Sequence, residues 1–209
     1  MAFIRTADPD RTRASSEGAS YVYVLPCAGG EDLLKLGFSR HPLQRMQALQ
    51  TRYFEFFDLD SAFLVETETV RDARDLELSL GHAIAVHAAP VPLVVREEAG
   101  GHSEWYRGAH AVLAAGIAAL AARGYTVHHP LRPWLRRELL RSREDLFSWG
   151  TTLLDGLQGD AGWLDRPQMA QLRRHALDTL DAYAAVDIPV TDVLPDLLAQ
   201  WYRRTTGNR

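Results

Sequence analysis

The spacing of apolar and polar positions changes period along this chain, and each change marks an element. Tyr21, Tyr23 and Leu25 alternate with Val22 and Val24, the period of a strand. "PCAGGED" then supplies turn chemistry with a glycine pair, and "LLKLGF" follows as a second strand. Together they predict an antiparallel hairpin. Alternation puts Leu33, Lys35 and Gly37 on one face of the second strand and Leu34, Leu36 and Phe38 on the other. Tyr23 and Lys35 can therefore share a side. "SRHPLQRMQALQTR" has helical spacing, with Pro42 suited to the first position and Leu43, Met46 and Leu49 as the stripe. Arg45 flanks that stripe. "FEFFDLDSAFLVET" predicts a third, long strand from its aromatic and branched residues. "ETVRDARDLELSLGHAIAVH" returns to helical spacing, striped by Ala73, Leu76, Leu80 and Ile84, with Glu77 beside the stripe.

"AAPVPLVVREEAGGHS" reads as a loop. "EWY" (104–106) and a helix from about Ala109 to Arg123 follow, the helix stopped by Gly124. "YTVHH" has the character of a last strand. Beyond Pro130 the spacing is helical throughout, over about 133–157, 165–185 and 193–204. "QGDAG" separates the first two helices, with Asp165 as a cap and Pro167 just past it. The chain thus divides into a flexible polar leader (1–20), an α+β unit (21–130) and an all-helical C-terminal unit (131–209).

Composition narrows the classes. The 209 residues are 46% hydrophobic, enough to pack a core. A single cysteine, Cys27, excludes an internal disulfide and a multi-cysteine zinc site. No apolar run reaches the ~18 residues of a membrane span, and the first twenty residues lack the apolar core of a secretory signal. A cytoplasmic setting is the expectation. The net charge of −4 is a poor whole-molecule field for nucleic acid, so any polyanion site must be local. "RPWLRRELLRSR" (132–143) carries five arginines against one glutamate. It can lie along a phosphate backbone, or form a solvated amphipathic helix. Lys35 is the only lysine among 23 basic residues. In a chain that otherwise writes positive charge as arginine, it points to a place needing a compact or titratable ammonium.

The ordered series "YVYV", "KLGFS", a helix with Arg45, a long strand, "LELSL" and "EWY" resembles the GIY-YIG nuclease superfamily, and in particular its phage-type subgroup. In that subgroup the second signature tyrosine is commonly lysine, and the module ends in Glu-Trp-aromatic. The likeness covers about Tyr21 to Tyr106. It implies a small three-stranded antiparallel sheet flanked by helices, and an endonuclease hydrolysing DNA phosphodiester bonds with Mg²⁺ or Mn²⁺. It also implies Tyr23, Lys35, Arg45 and Glu77 as catalytic residues, with Glu77 holding the metal. The chemistry of these groups agrees. Tyr23 can take a proton from water if cations lower its pKa. Lys35 can act as a point charge beside that base or, desolvated, as the base itself. Arg45 offers a planar fork to phosphate oxygens, and Glu77 a hard oxygen to Mg²⁺.

Ser39, Arg40, Glu104, Arg132 and Arg136 are the candidate substrate contacts. Ser39 bonds a phosphate or caps its turn, and Glu104 serves the site or the packing of Trp105. One departure stands out. Members of the subgroup often carry histidine four residues after the glutamate, where this chain has Gly81, with His82 next. Five helical residues leave Glu77 and His82 ~140° apart, so they should not share a metal. His128 and His129 are adjacent, and on a strand they face opposite sides. Two other readings accompany the endonuclease. One is a catalytically weak nucleic-acid-binding or regulatory module on the same fold. The other is a protein-interaction adaptor built on the helical unit. Expected partners are DNA, with RNA open, and a second copy or another protein at the C-terminal helices.

Overall fold

A computed structural model describes residues 17–207. The flexible leader expected over 1–20 lies mostly outside the described residues. Its last part is strand, because β1 runs Glu17–Pro26. β2 (Leu33–Ser39) returns antiparallel, pairing Tyr23 with Gly37 and Leu25 with Lys35. α1 (Pro42–Leu49) starts on Pro42 and buries it with Met46 and Leu49. The short α2 (Tyr53–Phe56) comes next, then β3 (Phe63–Thr69) and α3 (Val70–Ala83). The Thr69 side chain caps α3 by accepting from the Asp72 N–H at 3.1 Å. β4 (Trp105–Arg107), α4 (His110–Ala122) and β5 (Val127–His128) complete the mixed part. α5 (Arg132–Arg141), α6 (Arg143–Gly156), α7 (Ala170–Ala184) and α8 (Asp196–Thr206) follow, joined by short 3-10 turns.

The α+β class and the helical C-terminal part match the pattern in the sequence. The sheet does not: it has five strands, ordered β4-β2-β1-β3-β5 and all antiparallel, not three. The added strands are short edges of three and two residues, too short to show an alternation. The third strand also starts later than expected. Phe54 to Phe56 form a helical turn instead, and the Asp58 carboxylate accepts the N–H groups of Asp60 and Ser61 in a turn before the strand. The helix expected over 133–157 is broken at Ser142 into α5 and α6. Asp165 caps nothing. Its carboxylate accepts from Trp201 Nε1 and Arg204, while Asp160 caps the turn that follows it.

The sheet buries both faces. Val22, Val24, Leu34, Leu36, Phe63 and Val65 pack against α3 and α4. Tyr23, Leu25, Leu33, Leu64 and Trp105 lie in a second cluster that is continuous through Met46 and Tyr53 to Trp134, Leu180, Leu198 and Trp201. The C-terminal helices therefore share one core with this sheet face. Two arginines reinforce the join. Arg132 forks onto Asp60 with both bonds at 3.0 Å and reaches the Ala185 carbonyl. Arg52 donates to Asp178 at 2.7 Å and to Asp181 at 3.1 Å, both on α7. Among the described residues no helix is long and apolar enough to cross a membrane.

A chain ended at Pro130 strips the cover from Leu25, Leu33 and Leu64. Burial of each such side chain is worth about 1.5–3 kcal/mol, against a typical whole-domain stability of about 5–15 kcal/mol. The truncated chain is expected to show no cooperative thermal transition by circular dichroism and to bind a hydrophobic dye. A sharp melt near that of the full chain sinks this expectation.

Candidate active site

Tyr23 sits mid-strand in β1, only 3% exposed. Its cross-strand partner is Gly37, and its phenol lies across that glycine. A Cβ at position 37 would stand 2.5 Å from the Tyr23 hydroxyl and 2.7 Å from Cζ. Gly37 is thus a matter of close approach, not of turn geometry.

Lys35 points to the same side, two residues earlier on β2. It is 1% exposed, which is rare for an ammonium unless it is paired. Its Nζ donates to three oxygens: the Leu36 carbonyl and the Ser103 carbonyl at 2.8 Å each, and Glu104 Oε2 at 3.2 Å. An ammonium has three donors and no acceptor, so all three are engaged and no lone pair is on offer. Burial pulls the Lys35 pKa down, and Glu104 opposes that pull. The Trp105 ring adds a cation–π face at 5.9 Å.

Arg45 reaches in from α1, half-buried. Its Nη1 donates to the Ala99 carbonyl at 2.6 Å. Gly101 lets the guanidinium pass, since a Cβ there would collide with Nη2. The same guanidinium lies beside the Tyr23 hydroxyl and favours its ionisation. Burial nevertheless dominates and raises the Tyr23 pKa, with Glu77 and Glu104 adding to the rise. Cations beside the phenol do not by themselves bring it below its ordinary value.

Glu77, half-buried on α3, feels the fields of Lys35, Arg74 and Glu104. Burial first, and Glu104 second, push its pKa up. Its carboxylate makes no hydrogen bond or ion pair among the described residues. Glu104 occupies the left-handed region at φ 58, which is uncommon for a residue with a side chain. Its backbone carbonyl accepts from Leu36 N at 3.1 Å. The carboxylate, 38% exposed, meets Lys35.

Tyr23, Lys35, Arg45, Glu77 and Glu104 thus come from five elements into one mutual electrostatic neighbourhood. The other expected contacts sit elsewhere or act locally. Ser39 Oγ accepts from the His41 N–H at 3.0 Å and so caps the turn into α1. Arg40 is exposed at that turn. Arg132 and Arg136 tie α5 to the end of α7, Arg136 through the Val186 and Asp187 carbonyls. The guanidinium partners of these two arginines are internal to the protein and outside the Tyr23 cluster. At Gly81 a Cβ would stand 3.2 Å from the Tyr106 hydroxyl, so the space of a histidine is taken by that phenol. His82 is exposed. His128 meets Glu66 at 2.8 Å, and His129 stacks on Phe63.

Sequence reading named Glu104 but not the Ala99 and Ser103 carbonyls, through which the loop 99–104 wraps the cluster. Backbone oxygens leave no residue signature. The Gly100–Gly101 pair, both at positive φ, was the available signal. Among the described residues no group of three or more His, Cys, Asp or Glu side chains can hold a metal. An unpaired half-buried carboxylate with a second carboxylate nearby fits Mg²⁺ or Mn²⁺, since Mg²⁺ keeps most of its water and takes one or two protein carboxylates.

Residues 20–121, just under half of the chain, match the family model of the T5orf172 domain. No curated protein and no solved structure gives a match.

Gly37→Ala is expected to cost about 1–3 kcal/mol by overpacking against Tyr23, read as a lower urea midpoint. An unchanged midpoint contradicts the close approach. Glu77 gives a signed pH test. Its folded pKa lies above the ordinary value, so the ionised carboxyl costs stability at neutral pH. That cost fades as pH falls through the folded value, and is gone once the unfolded chain is protonated too. Glu77→Gln should therefore melt higher than wild type at pH 7, with the gap closing near about pH 4. A gap that widens in acid rejects the assignment.

Proposed function

We propose that this protein is a divalent-metal-dependent endonuclease of GIY-YIG type that hydrolyses DNA phosphodiester bonds. The observation that carries the reading is the convergence of Tyr23, Lys35, Arg45 and Glu77 with Glu104. Phosphodiester hydrolysis asks for this set: a hydroxyl to handle the water, positive charge for the phosphate, and a hard oxygen for a cation. The T5orf172 match supports it, as that domain occurs in phage-type and other nucleases.

In this reading Glu77 would hold Mg²⁺ or Mn²⁺, and the Glu104 carboxylate would add a second negative charge to the same neighbourhood. The bound ion supplies Lewis-acid stabilisation of the phosphate. Arg45 presents its remaining guanidinium edge to the phosphate oxygens, fixed in place by the Ala99 carbonyl. Tyr23 orients the attacking water through its hydroxyl. Its raised pKa means that it gives up its proton only as positive charge gathers beside it, and Arg45 is the resident part of that charge. Lys35 is not the base. Its three donors hold Glu104 and the 99–104 loop in register, and its charge offsets the two carboxylates.

One observation favours a second reading, a nucleic-acid-binding module on the same fold without efficient cleavage. Tyr23 is almost fully buried and its phenol is held high. A plasmid-nicking assay with and without Mg²⁺ separates the two. Wild type is expected to nick only with the metal. Arg45→Ala and Glu77→Gln should each lower the rate by about 10²–10³-fold while keeping the wild-type circular dichroism spectrum. Salt-sensitive DNA binding with no nicking in any divalent metal establishes the second reading. Neither nicking nor DNA binding defeats both and leaves the adaptor.

A further inference from the structure

The C-terminal helices lie on the sheet face that carries Tyr23, and between them and α1 a groove remains. Its larger hollow, about 430 Å³, is walled by Gln44, Gln47 and Thr51 on one side and by Thr179 of α7 on the other. A smaller hollow, about 190 Å³, opens beside Arg40 and His41, which follow β2 directly. Leu43, Gln44 and Ser142 line both, so the two are continuous. The break between α5 and α6 at Ser142 shapes the junction.

The two ends differ in chemistry. Among the described residues no arginine lines the larger hollow, and its one carboxylate, Asp178, is bound by Arg52 at 2.7 Å. What remains is amides, hydroxyls and apolar surface, with His175 at the margin. Tyr53 belongs to the same wall, and its buried hydroxyl has no hydrogen-bond partner among the described residues. The smaller end carries Arg40 and His41, next to the strand that bears Lys35 and Gly37, and its one carboxylate among the described residues, Glu138, is paired with Arg141. The volume falls in the lower part of the range for small-molecule sites, about 300–1,000 Å³. A ligand with a flat, neutral, hydrogen-bonding part and an anionic part fits both ends.

We propose that this groove seats one unpaired nucleotide of the DNA strand flanking the cut, its base between α1 and α7 and its phosphate beside Arg40 and His41. The inference rests on the endonuclease reading and adds the substrate class. The protein acts beside a gap, flap or single-stranded stretch, and its helical half is what reads strand structure.

The test uses the full chain carrying Glu77→Gln, so that binding is measured without cutting. The probes are a fluorescein-labelled paired duplex and the same duplex interrupted by a short single-stranded gap. The parent is expected to prefer the gapped DNA. Thr179→Trp, which fills the hollow from a half-exposed helix position, should weaken gapped-DNA binding by about tenfold, the weight of one stacked base. Its paired-duplex affinity should not change. Gln47→Leu, at an exposed position, removes one amide without adding bulk and should lower the same preference if the tryptophan variant fails to fold. Equal affinity of the parent for both DNAs, or a preference untouched by the folded variants, overturns the groove while leaving the endonuclease reading standing. No binding of either DNA by the parent overturns the groove, and together with no nicking by wild type it removes the endonuclease reading too.

Discussion

A buried ammonium surrounded by three oxygens organises this molecule. Lys35 has lost nearly all its water, and an unpaired charge in that position would cost several kcal/mol. Two carbonyls and a carboxylate replace the water. Two of those three oxygens belong to Ser103 and Glu104, on a loop that has no regular structure of its own. The charge therefore draws the loop onto the sheet. The loop in turn carries the carbonyl that holds Arg45 and the carboxylate that faces Glu77. Arginine cannot take this place. Its planar fork does not fit a compact, three-way set of acceptors that a tetrahedral ammonium can meet. That is a physical reason for one lysine among so many arginines.

The second constraint is the contest between burial and charge. Tyr23 and Glu77 both have their pKa values raised, and in both cases burial is the first cause. Lys35 is pushed the other way by the same desolvation. All three shifts disfavour the charged form. A positive charge brought next to Tyr23 and Glu77 would favour the ionised form of both.

Much of this was legible along the chain, and the limits have physical reasons. Strict alternation in β1 and β2 placed Tyr23, Lys35 and Gly37 on one side, and the pairing of Tyr23 with Gly37 is consistent with that. The stripe of α3 placed Glu77 beside, not in, the buried face. "YTVHH" read as a strand and holds β5, whereas β4 went unread because three residues carry no period. "FEFF" reads as a strand by composition, yet its rings pack edge-on as a helical turn before the Asp58 turn. The arginines of 132–143 suggested a phosphate track. Arg132 and Arg136 instead meet a carboxylate and carbonyls far away in sequence, and such partners are invisible before the chain folds.

The continuous apolar layer under Tyr23 also bears on how such a protein can diversify. Where two units of a chain are joined by a linker, each can be exchanged as a cassette. Here Met46, Trp134 and Trp201 belong to one packed interior, and Arg52 locks onto two aspartates of α7. A foreign appendage grafted after Pro130 would have to reproduce that interior side chain by side chain. Change is more accessible through point substitutions along α1 and α7 than through shuffling of whole segments.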